Sequence, residues 1–289
     1  MPSPNLVDVL KRTTDWLTQK GCPTPRLDAE LLLSHALKVE RIQLYVQFDR
    51  PLTDEELSRL RPMVRRRGER VPLAWITGEQ GFHAIDLDLL GKVLVPRPDT
   101  ETLVEAMLSW LPTPTPDTIH YLADVGCGSG AVGLALAHAR DDIRVYATDI
   151  SDDALATTKH NTSKLNLQDR VAVLRGDLLE PIPDGRPIDW VVSNPPYIPS
   201  ADIDGLMPEV SQHEPRLALD GGPDGLDIVR RLLDAACDRV RCGVVMEIGV
   251  GQAPLVAELM EAKGFSHTEI WNDIPGIQRV VGGRRPDMA

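Results

Sequence analysis

Apolar positions recur at helical spacing near the start of the chain and in short dense runs later, and this change of period divides it. Leu6, Val9, Leu10, Trp16 and Leu17 fall near one face of a helix, and Leu27 to Leu37 repeats the pattern more densely. Thr53-Asp54-Glu55-Glu56 has capping-box spacing, with Thr53 as N-cap and Glu56 at the third helical position, after which Leu57, Leu60 and Val64 face inward. These segments predict a small helical bundle over residues 1–72, with its third helix opening at that box. From Leu73 the runs shorten. Trp75-Ile76-Thr77-Gly78 is β-like, and between Ala84 and Leu90 the acids Asp86 and Asp88 alternate with Ile85, Leu87 and Leu89. Residues 73–95 are therefore expected to form a linking β-hairpin. Leu103 to Leu111 returns to helical spacing, and Pro112-Thr113-Pro114-Thr115-Pro116 reads as a short extended linker.

Beyond the linker, strand-like and helix-like segments alternate. Tyr121 to Val125, Arg144 to Thr148 ending at Asp149, Val171 to Leu174, Ile188 to Val192 and Val244 to Glu247 read as strands, and Ile188 to Val192 has the β-branched look of a buried one. Helical patterns over Ala131 to Ala139, Asp152 to Leu165, Asp227 to Val240 and Pro254 to Lys263 interleave with them, and His267 to Trp271 and Gln278 to Val281 add two final strands. The predicted fold class is α/β: a doubly wound, mostly parallel sheet over residues 96–289, preceded by the helical bundle and the hairpin.

Composition narrows this picture. A chain of 289 residues, 42% hydrophobic and 26% charged, is ordinary for one large or two medium globular domains. No window approaches the roughly 18 consecutive apolar residues of a membrane span. The start MPSPNLVDVLKR does not read as a signal peptide, so a cytoplasmic protein with no membrane partner is expected. Cys22, Cys127, Cys237 and Cys242 show no CxxC spacing and no nearby histidine cluster, which predicts reduced structural thiols and no metal. Of the net charge of −12, residues 1–95 carry +1 (14 Lys+Arg, 13 Asp+Glu) and the remainder −13 (17 against 30), and aromatic residues make up only 4%. Both facts disfavour nucleic acid as a direct ligand. The basic run Arg65-Arg66-Arg67, with Arg61 and Arg70 nearby, reads as a solvated helix end or as a docking patch for an anionic partner such as ribosomal RNA.

Candidate chemistry collects at strand ends. Asp124-Val125-Gly126-Cys127-Gly128-Ser129-Gly130 lies between a strand and a helix, where glycines permit a tight turn and close approach of a ligand. Gly128, Gly130 and Gly133 also satisfy GxGxxG, so a dinucleotide-binding dehydrogenase competes at this point. Asp149 ends the next strand, where a carboxylate can accept from a ribose diol, and Gly176-Asp177 ends the third, where a side chain can bracket an adenine edge. Each acid alone is commonly a cap, but three at successive strand ends predict an adenosine site.

The fourth strand runs into Ser193-Asn194-Pro195-Pro196-Tyr197-Ile198. Two prolines fix φ twice and remove two N–H donors, leaving carbonyl acceptors beside an Asn amide and a planar aromatic. The combination suits holding a planar NH2 group by its two hydrogens. A Pro-rich turn closing a strand is the other reading. No general acid or base is arranged for hydride chemistry, so methyl transfer from S-adenosylmethionine to nitrogen is the reaction that uses both the adenosine site and the hexapeptide.

Asp124 to Gly130, Asp149, Gly176-Asp177 and Ser193 to Ile198 together resemble the successive motifs of class I S-adenosylmethionine-dependent methyltransferases. The Asn-Pro-Pro-Tyr run resembles the amino and amide methyltransferases that modify adenine N6, guanine N2 or glutamine N5. Asp28 to His35, Pro96 to Glu101 and Glu214 to Gly222 extend the resemblance over nearly the whole chain, to the protein-(glutamine-N5) methyltransferases of class 1 peptide chain release factors, the PrmC/HemK family. This resemblance implies a Rossmann-like sheet, S-adenosyl-L-methionine as cofactor, and the glutamine of a Gly-Gly-Gln motif in a release factor as substrate. It implies substrate docking on residues 1–72, a hairpin linker over 73–95 and a methyltransferase domain over 96–289.

By the same resemblance, Asn194, Pro195, Pro196 and Tyr197 form the catalytic group. The Asn194 side-chain oxygen and the Pro195 carbonyl would accept the two amide hydrogens, with Tyr197 packed on the amide plane. Asp124, Gly126, Cys127, Gly128, Ser129, Gly130, Asp149, Asp177, Leu178 and Asn194 would hold the cofactor. Leu178 stands where some relatives carry an aromatic residue, which implies apolar contact with adenine instead of stacking. Arg97, Glu101 and Arg216 are candidate loop anchors or structural ion pairs, and the acidic loop from Ala201 to Glu214 is expected to be flexible and to gate the site. The glutamine of a ribosomal protein and the amino group of DNA or RNA are alternative substrates, and a non-catalytic adaptor is a further alternative.

Overall fold

The computed structural model describes residues 3–115 and 118–286. Pro116, the last residue of the expected linker, lies outside the described residues. The chain divides into two compact units, Met1–Gly78 with Met207–His213, and Glu79–Leu206 with Glu214–Ala289.

The first unit is helical: α1 (Leu6–Gln19), α2 (Pro25–Leu37), α3 (Arg41–Val46), α4 (Asp54–Gly68) and α5 (Leu73–Thr77). The capping box forms as its spacing predicts. Thr53 Oγ1 accepts the Glu56 N–H at 3.2 Å, and the Glu56 carboxylate accepts the Thr53 N–H at 2.9 Å. The helix it opens is the fourth, because α3 intervenes; only Leu44 of α3 is buried, so the sequence carries no periodic signal there. Leu6, Leu10, Leu17, Leu32, Leu33 and Leu60 form the core with it.

Two sequence-based expectations change in this unit. Trp75-Ile76-Thr77-Gly78 is not a strand but the end of α5. Gly78 closes it at φ +82°, donating its N–H to the Ala74 carbonyl at 2.8 Å. An apolar run this short shows no period, and the glycine at its end decided the outcome. The basic run is also divided. Arg65 and Arg66 are exposed, whereas Arg67 is only 3% exposed and pairs with Asp28 at 2.7 Å and with Glu209 at 2.9 Å. Arg70 closes the cluster on Glu209 at 2.7 Å. The loop expected to be flexible therefore contributes Glu209, on a single π-helical turn (Glu209–His213), to an ion network around the buried Arg67 and Asp28.

The second unit is a layered α/β structure. Its helices are α6 (Glu101–Trp110), α7 (Ala131–Ala139), α8 (Asp152–Lys164), α9 (Asp227–Ala236) and α10 (Ala253–Ala262). The hairpin pairs β1 (Glu79–Phe82) with β2 (Ile85–Asp88). The sheet comprises β3 (His120–Val125), β4 (Ile143–Asp149), β5 (Val171–Arg175), β6 (Trp190–Ser193), β7 (Gly243–Glu247), β8 (His267–Asn272) and β9 (Gln278–Arg284), in the order β5-β4-β3-β6-β7-β9-β8. Among the described residues β9 pairs antiparallel with both β7 and β8, and the other adjacent pairs of this sheet are parallel. The doubly wound, mostly parallel sheet expected from the alternating pattern is thus present. Its β6 starts at Trp190 instead of Ile188, because the Asp189 carboxylate caps the Tyr121 N–H at 2.8 Å ahead of the ladder.

Side-chain alternation sorts the sheet into two cores. Leu122, Trp190 and Val192 join Leu103, Met107 and Leu134 on one face; Ala123, Val191 and Val244 join Val229, Leu232 and Val256 on the other. The hairpin is fastened to α8, whose buried Asn161 accepts the Asp88 N–H at 2.9 Å and donates back to the Asp88 carbonyl at 3.0 Å. The chain winds outward through β3, β4 and β5, then returns to lay β6 beside β3. That reversal opens a crevice at the carboxyl ends of β3 and β6, the usual ligand position in such sheets. Among the described residues no helix is long and apolar enough to cross a membrane.

Candidate functional site

A cavity of about 250 Å³ occupies this crevice. Its floor is the loop after β3. The N–H groups of Gly126 and Cys127 both donate to the Thr148 carbonyl, at 2.9 and 3.0 Å, and Gly130 donates to the Cys127 carbonyl at 2.7 Å. Gly126 and Gly128 have φ of +71° and +57°, and a Cβ on either would meet nothing within 4 Å, so both leave an open cradle. Gly130 differs. A Cβ there would lie 2.7 Å from Leu134 Cδ1, so this glycine serves the packing of α7 and does not line the cavity.

Asp124 is 2% exposed, and its Oδ2 accepts the Gly133 N–H at 2.9 Å, tying the end of β3 to the first turn of α7. Burial raises its pKa to about 7, opposed by that hydrogen bond. Gly133 is the only residue type that permits this approach, since a Cβ would sit 2.8 Å from the same oxygen. Cys127 is buried with its Sγ 3.4 Å from Thr158 Oγ1; desolvation, then the charges of Asp124 and Asp149, push its pKa far up, so it is no nucleophile. Ser129 is also buried, and its carbonyl accepts from Asn161 Nδ2 at 2.9 Å.

Asp149 stands at the end of β4. Its Oδ2 accepts the Gly128 N–H at 3.0 Å and its Oδ1 the Ser151 N–H at 2.8 Å. Each oxygen keeps a lone pair for a hydroxyl donor in the cavity. This arrangement decides against pyrophosphate. The amides of Gly126, Cys127, Gly128 and Gly130, which a phosphate-binding loop would present to its ligand, are consumed by protein acceptors, and a carboxylate stands beneath them. The oxygens left facing the cavity are acceptors, which suits a ligand bearing hydroxyl donors or positive charge. After β5, Asp177 forms an ion pair with Arg231, and Leu178 adopts φ +49° while its carbonyl accepts the Thr148 hydroxyl at 2.8 Å. Both line the cavity, Leu178 offering an apolar wall.

The hexapeptide forms the opposite side. Ser193 pairs in register with Val125 and donates its hydroxyl to the Val125 carbonyl at 2.7 Å, so the two loops leave the sheet together. Asn194 is half-buried, and its Nδ2 donates to Thr100 Oγ1 at 3.2 Å. Pro195 and Pro196 line the cavity. Tyr197 does not: its hydroxyl donates to Glu247 Oε1 at 3.0 Å and its carbonyl accepts from Gln252 Nε2 at 3.0 Å. Gly221 and Gly225 leave room for this segment, since a Cβ on Gly221 would lie 2.7 Å from the Pro196 carbonyl and one on Gly225 2.3 Å from that of Tyr197.

The expected anchors each have a distinct place. Arg97 pairs at 2.6 Å with Glu214, whose other oxygen accepts the Val95 N–H at 3.2 Å. Burial raises the pKa of Glu214, and Arg97 opposes the rise. Glu101 accepts the His83 N–H at 3.0 Å in the hairpin turn, and Arg216 pairs with Asp220 at 3.1 Å.

The structure thus gathers Asp124, Gly126, Cys127, Gly128, Ser129, Asp149, Asp177, Leu178, Asn194, Pro195 and Pro196 around one cavity. Sequence reasoning missed Thr100 and Glu247. Glu247 carried a readable signal, a lone acid closing an apolar strand, the same pattern that singled out Asp149. Thr100 lies inside the Pro96 to Glu101 stretch, which does not single it out; its contact with Asn194 and its place in the cavity wall do. Among the described residues no cluster of His, Cys, Asp or Glu could hold a metal ion.

Comparison with known proteins adds lineage to this geometry. The family model of the PrmC N-terminal domain matches residues 8–78, and that of the methyltransferase small domain matches residues 99–209. The release factor glutamine methyltransferase of Geobacter sulfurreducens is 42% identical over 280 residues, covering 96% of this chain and 95% of the relative. That of Moorella thermoacetica is 42% identical over 266 residues, covering 91% and 92%. The hMettl16 catalytic domain in complex with the MAT2A 3'UTR hairpin 6 superposes with a TM-score of 0.54 at 16% identity, covering 68% of this chain and 74% of that one, which is a likeness of fold alone.

Proposed function

The chain belongs to the family of release factor glutamine methyltransferases, and from that premise we propose that it methylates N5 of the glutamine in the Gly-Gly-Gln motif of class 1 peptide chain release factors. S-adenosyl-L-methionine would be the cofactor, supplying a methyl group activated on a sulfonium centre. The glycine cradle at Gly126 and Gly128 would seat its flexible part, Asp149 its ribose hydroxyls and Leu178 its adenine. We assign docking of the protein substrate to the helical residues 1–72, and place the enzyme in the cytoplasm with the translation machinery.

The observation that carries this reading is the fixed polarity of Asn194. Its Nδ2 is held by Thr100, which leaves Oδ1 free as an acceptor beside two prolines that can donate nothing. An amide nitrogen is a poor nucleophile because its lone pair is delocalised into the carbonyl. Asn194 Oδ1 and the Pro195 carbonyl accept the two N–H bonds of the substrate amide, which orients the nitrogen and stabilises the positive charge that develops on it. No protein base is needed before transfer, and water takes the released proton. Tyr197, tethered through its hydroxyl to Glu247, braces the segment from behind.

The test is incubation with labelled S-adenosylmethionine and, separately, purified release factors, ribosomal proteins and DNA, with the modified residue mapped by mass spectrometry. Label on the release-factor glutamine is expected. Label confined to a ribosomal protein or to a nucleic-acid amino group would replace this substrate with that one.

A further inference from the structure

Large apolar side chains exposed in the sheet unit gather at the edge that carries the cavity. Leu217, 56% exposed, lines the cavity; Val250, 71% exposed, follows β7; Ile274, fully exposed, stands in the turn from β8 to β9. Because β7 and β8 both pair antiparallel with β9, they share a direction, and this turn rises from the same carboxyl edge as the hexapeptide. Each of the three elements is bonded toward the catalytic segment. The Ile198 N–H donates to the Leu219 carbonyl at 3.0 Å, Gln252 Nε2 joins the loop after β7 to the Tyr197 carbonyl at 3.0 Å, and Arg279 reaches Asp99, the neighbour of Thr100, at 3.4 Å. The turn itself is stiff. The carboxylate of Asp273, a residue 6% exposed, accepts the Ile277 N–H at 2.8 Å and the Arg279 guanidinium at 3.0 Å, and Pro275 fixes φ just after Ile274.

We propose that Leu217, Val250 and Ile274 form an apolar rim that binds the release factor through residues flanking its target glutamine. The inference rests on the substrate assigned above and adds where that substrate is held. Scattered exposed apolar residues are ordinary, but several displayed around one opening mark a surface that another molecule covers. Continuity with the cavity names the occupant, because Leu217 belongs to both and a protein that presents an amide to Asn194 meets the rim on its way in. A Gly-Gly-Gln segment brings no side chain at the two positions before the glutamine, so its affinity comes from residues further along the partner. Three extended residues span about 10 Å. The turn before β9 lies two strand spacings from β6, also about 10 Å, which places Ile274 within reach of a partner side chain beyond the glycines. A stiff turn loses little freedom on binding, so burial of its isoleucine contributes to affinity. A contact this far from the reacting nitrogen acts equally on the bound substrate and the transition state, and so lowers KM without raising kcat.

Steady-state kinetics of the full chain on a purified class 1 release factor tests the rim. Ile274→Asp should raise KM for the release factor on the order of tenfold, with kcat, S-adenosylhomocysteine affinity by calorimetry and melting temperature unchanged. Val250→Asp should raise KM less, and Ile274→Met should keep it near the wild-type value. Ile119→Asp, at an exposed residue just ahead of β3 on the opposite edge, should leave it unchanged. An unchanged KM in Ile274→Asp, or an equal rise in Ile119→Asp, would overturn the rim. So would a wild-type dimer that Ile274→Asp separates in sedimentation with KM unaltered, since the occupant would then be a second copy of the chain. Wild-type enzyme that labels another substrate and not the release factor would overturn the substrate assignment itself, which separates that failure from the failure of the rim.

Discussion

Two buried acidic clusters, one in each unit, use carboxylates in opposite ways. In the helical unit Glu209 receives Arg67 and Arg70, and Asp28 receives Arg67 at 2.7 Å, so each charge meets an opposite charge. In the sheet unit Glu247 accepts the Tyr197 hydroxyl on Oε1 and has no hydrogen-bond partner on Oε2 among the described residues, and burial raises its pKa. A buried ion network that is fully paired orders a fold and gives a site nothing to act with. A buried acid held by a neutral donor keeps a directional demand on its neighbour, and here that neighbour, Tyr197, follows the proline pair that lines the cavity.

The comparison can be broken at several points. Asn194→Ala should have the largest effect, a loss of turnover of ~10³-fold with S-adenosylhomocysteine binding retained; kinetics beside calorimetry separates the two. In the other cluster, Arg67→Met strands Asp28, and Glu209 keeps only Arg70. It should cost about 3–5 kcal/mol of stability, read by denaturant unfolding of the full chain, while cofactor affinity is preserved. Equal loss of cofactor binding in that variant would erase the distinction between the clusters. Asp149→Ala should weaken S-adenosylhomocysteine binding by about 1.5–3 kcal/mol and, by freeing the Gly128 and Ser151 N–H groups, lower stability by on the order of 1 kcal/mol.

Asp124 sharpens the contrast through pH. Its pKa is about 7 in the folded protein against an ordinary 3.8. Between these values the folded chain holds a proton that the unfolded chain has released, so stability falls as pH rises through that window and levels off above it. Asp124→Asn keeps an acceptor for the Gly133 N–H and removes the titration. The wild type should lose stability relative to this variant by at most ~1.4 kcal/mol per pH unit between about pH 4 and 7, measured by urea unfolding at stepped pH. A difference independent of pH would remove the titration from Asp124.

Much of the site was legible because strand-end chemistry is local. A glycine loop after β3, Asp149 after β4, Gly176-Asp177 after β5 and the proline pair after β6 are all readable from short windows, and parallel topology brings consecutive carboxyl ends to one edge. Errors arose where the signal was shorter than its period. Leu73–Thr77 offered too few residues to separate helix from strand, and Arg41–Val46 buries a single apolar side chain. Arg67 looked like part of a solvated run because nothing nearby in sequence announces Glu209, more than a hundred residues away.

By itself, then, the sequence determined the alternation of strands and helices, the capping box at Thr53, the order of the strand-end motifs and the residue types that face the cavity. These follow from local backbone preference and hydrophobic period. Tertiary structure alone decided that the loop amides are spent on Thr148 and Asp149 instead of on phosphate, that Tyr197 turns away from the cavity to Glu247, and that Thr100 holds Asn194 by its nitrogen. Each is a hydrogen bond between residues distant in the chain, and the direction of such a bond depends on which donor meets which acceptor once the chain has folded.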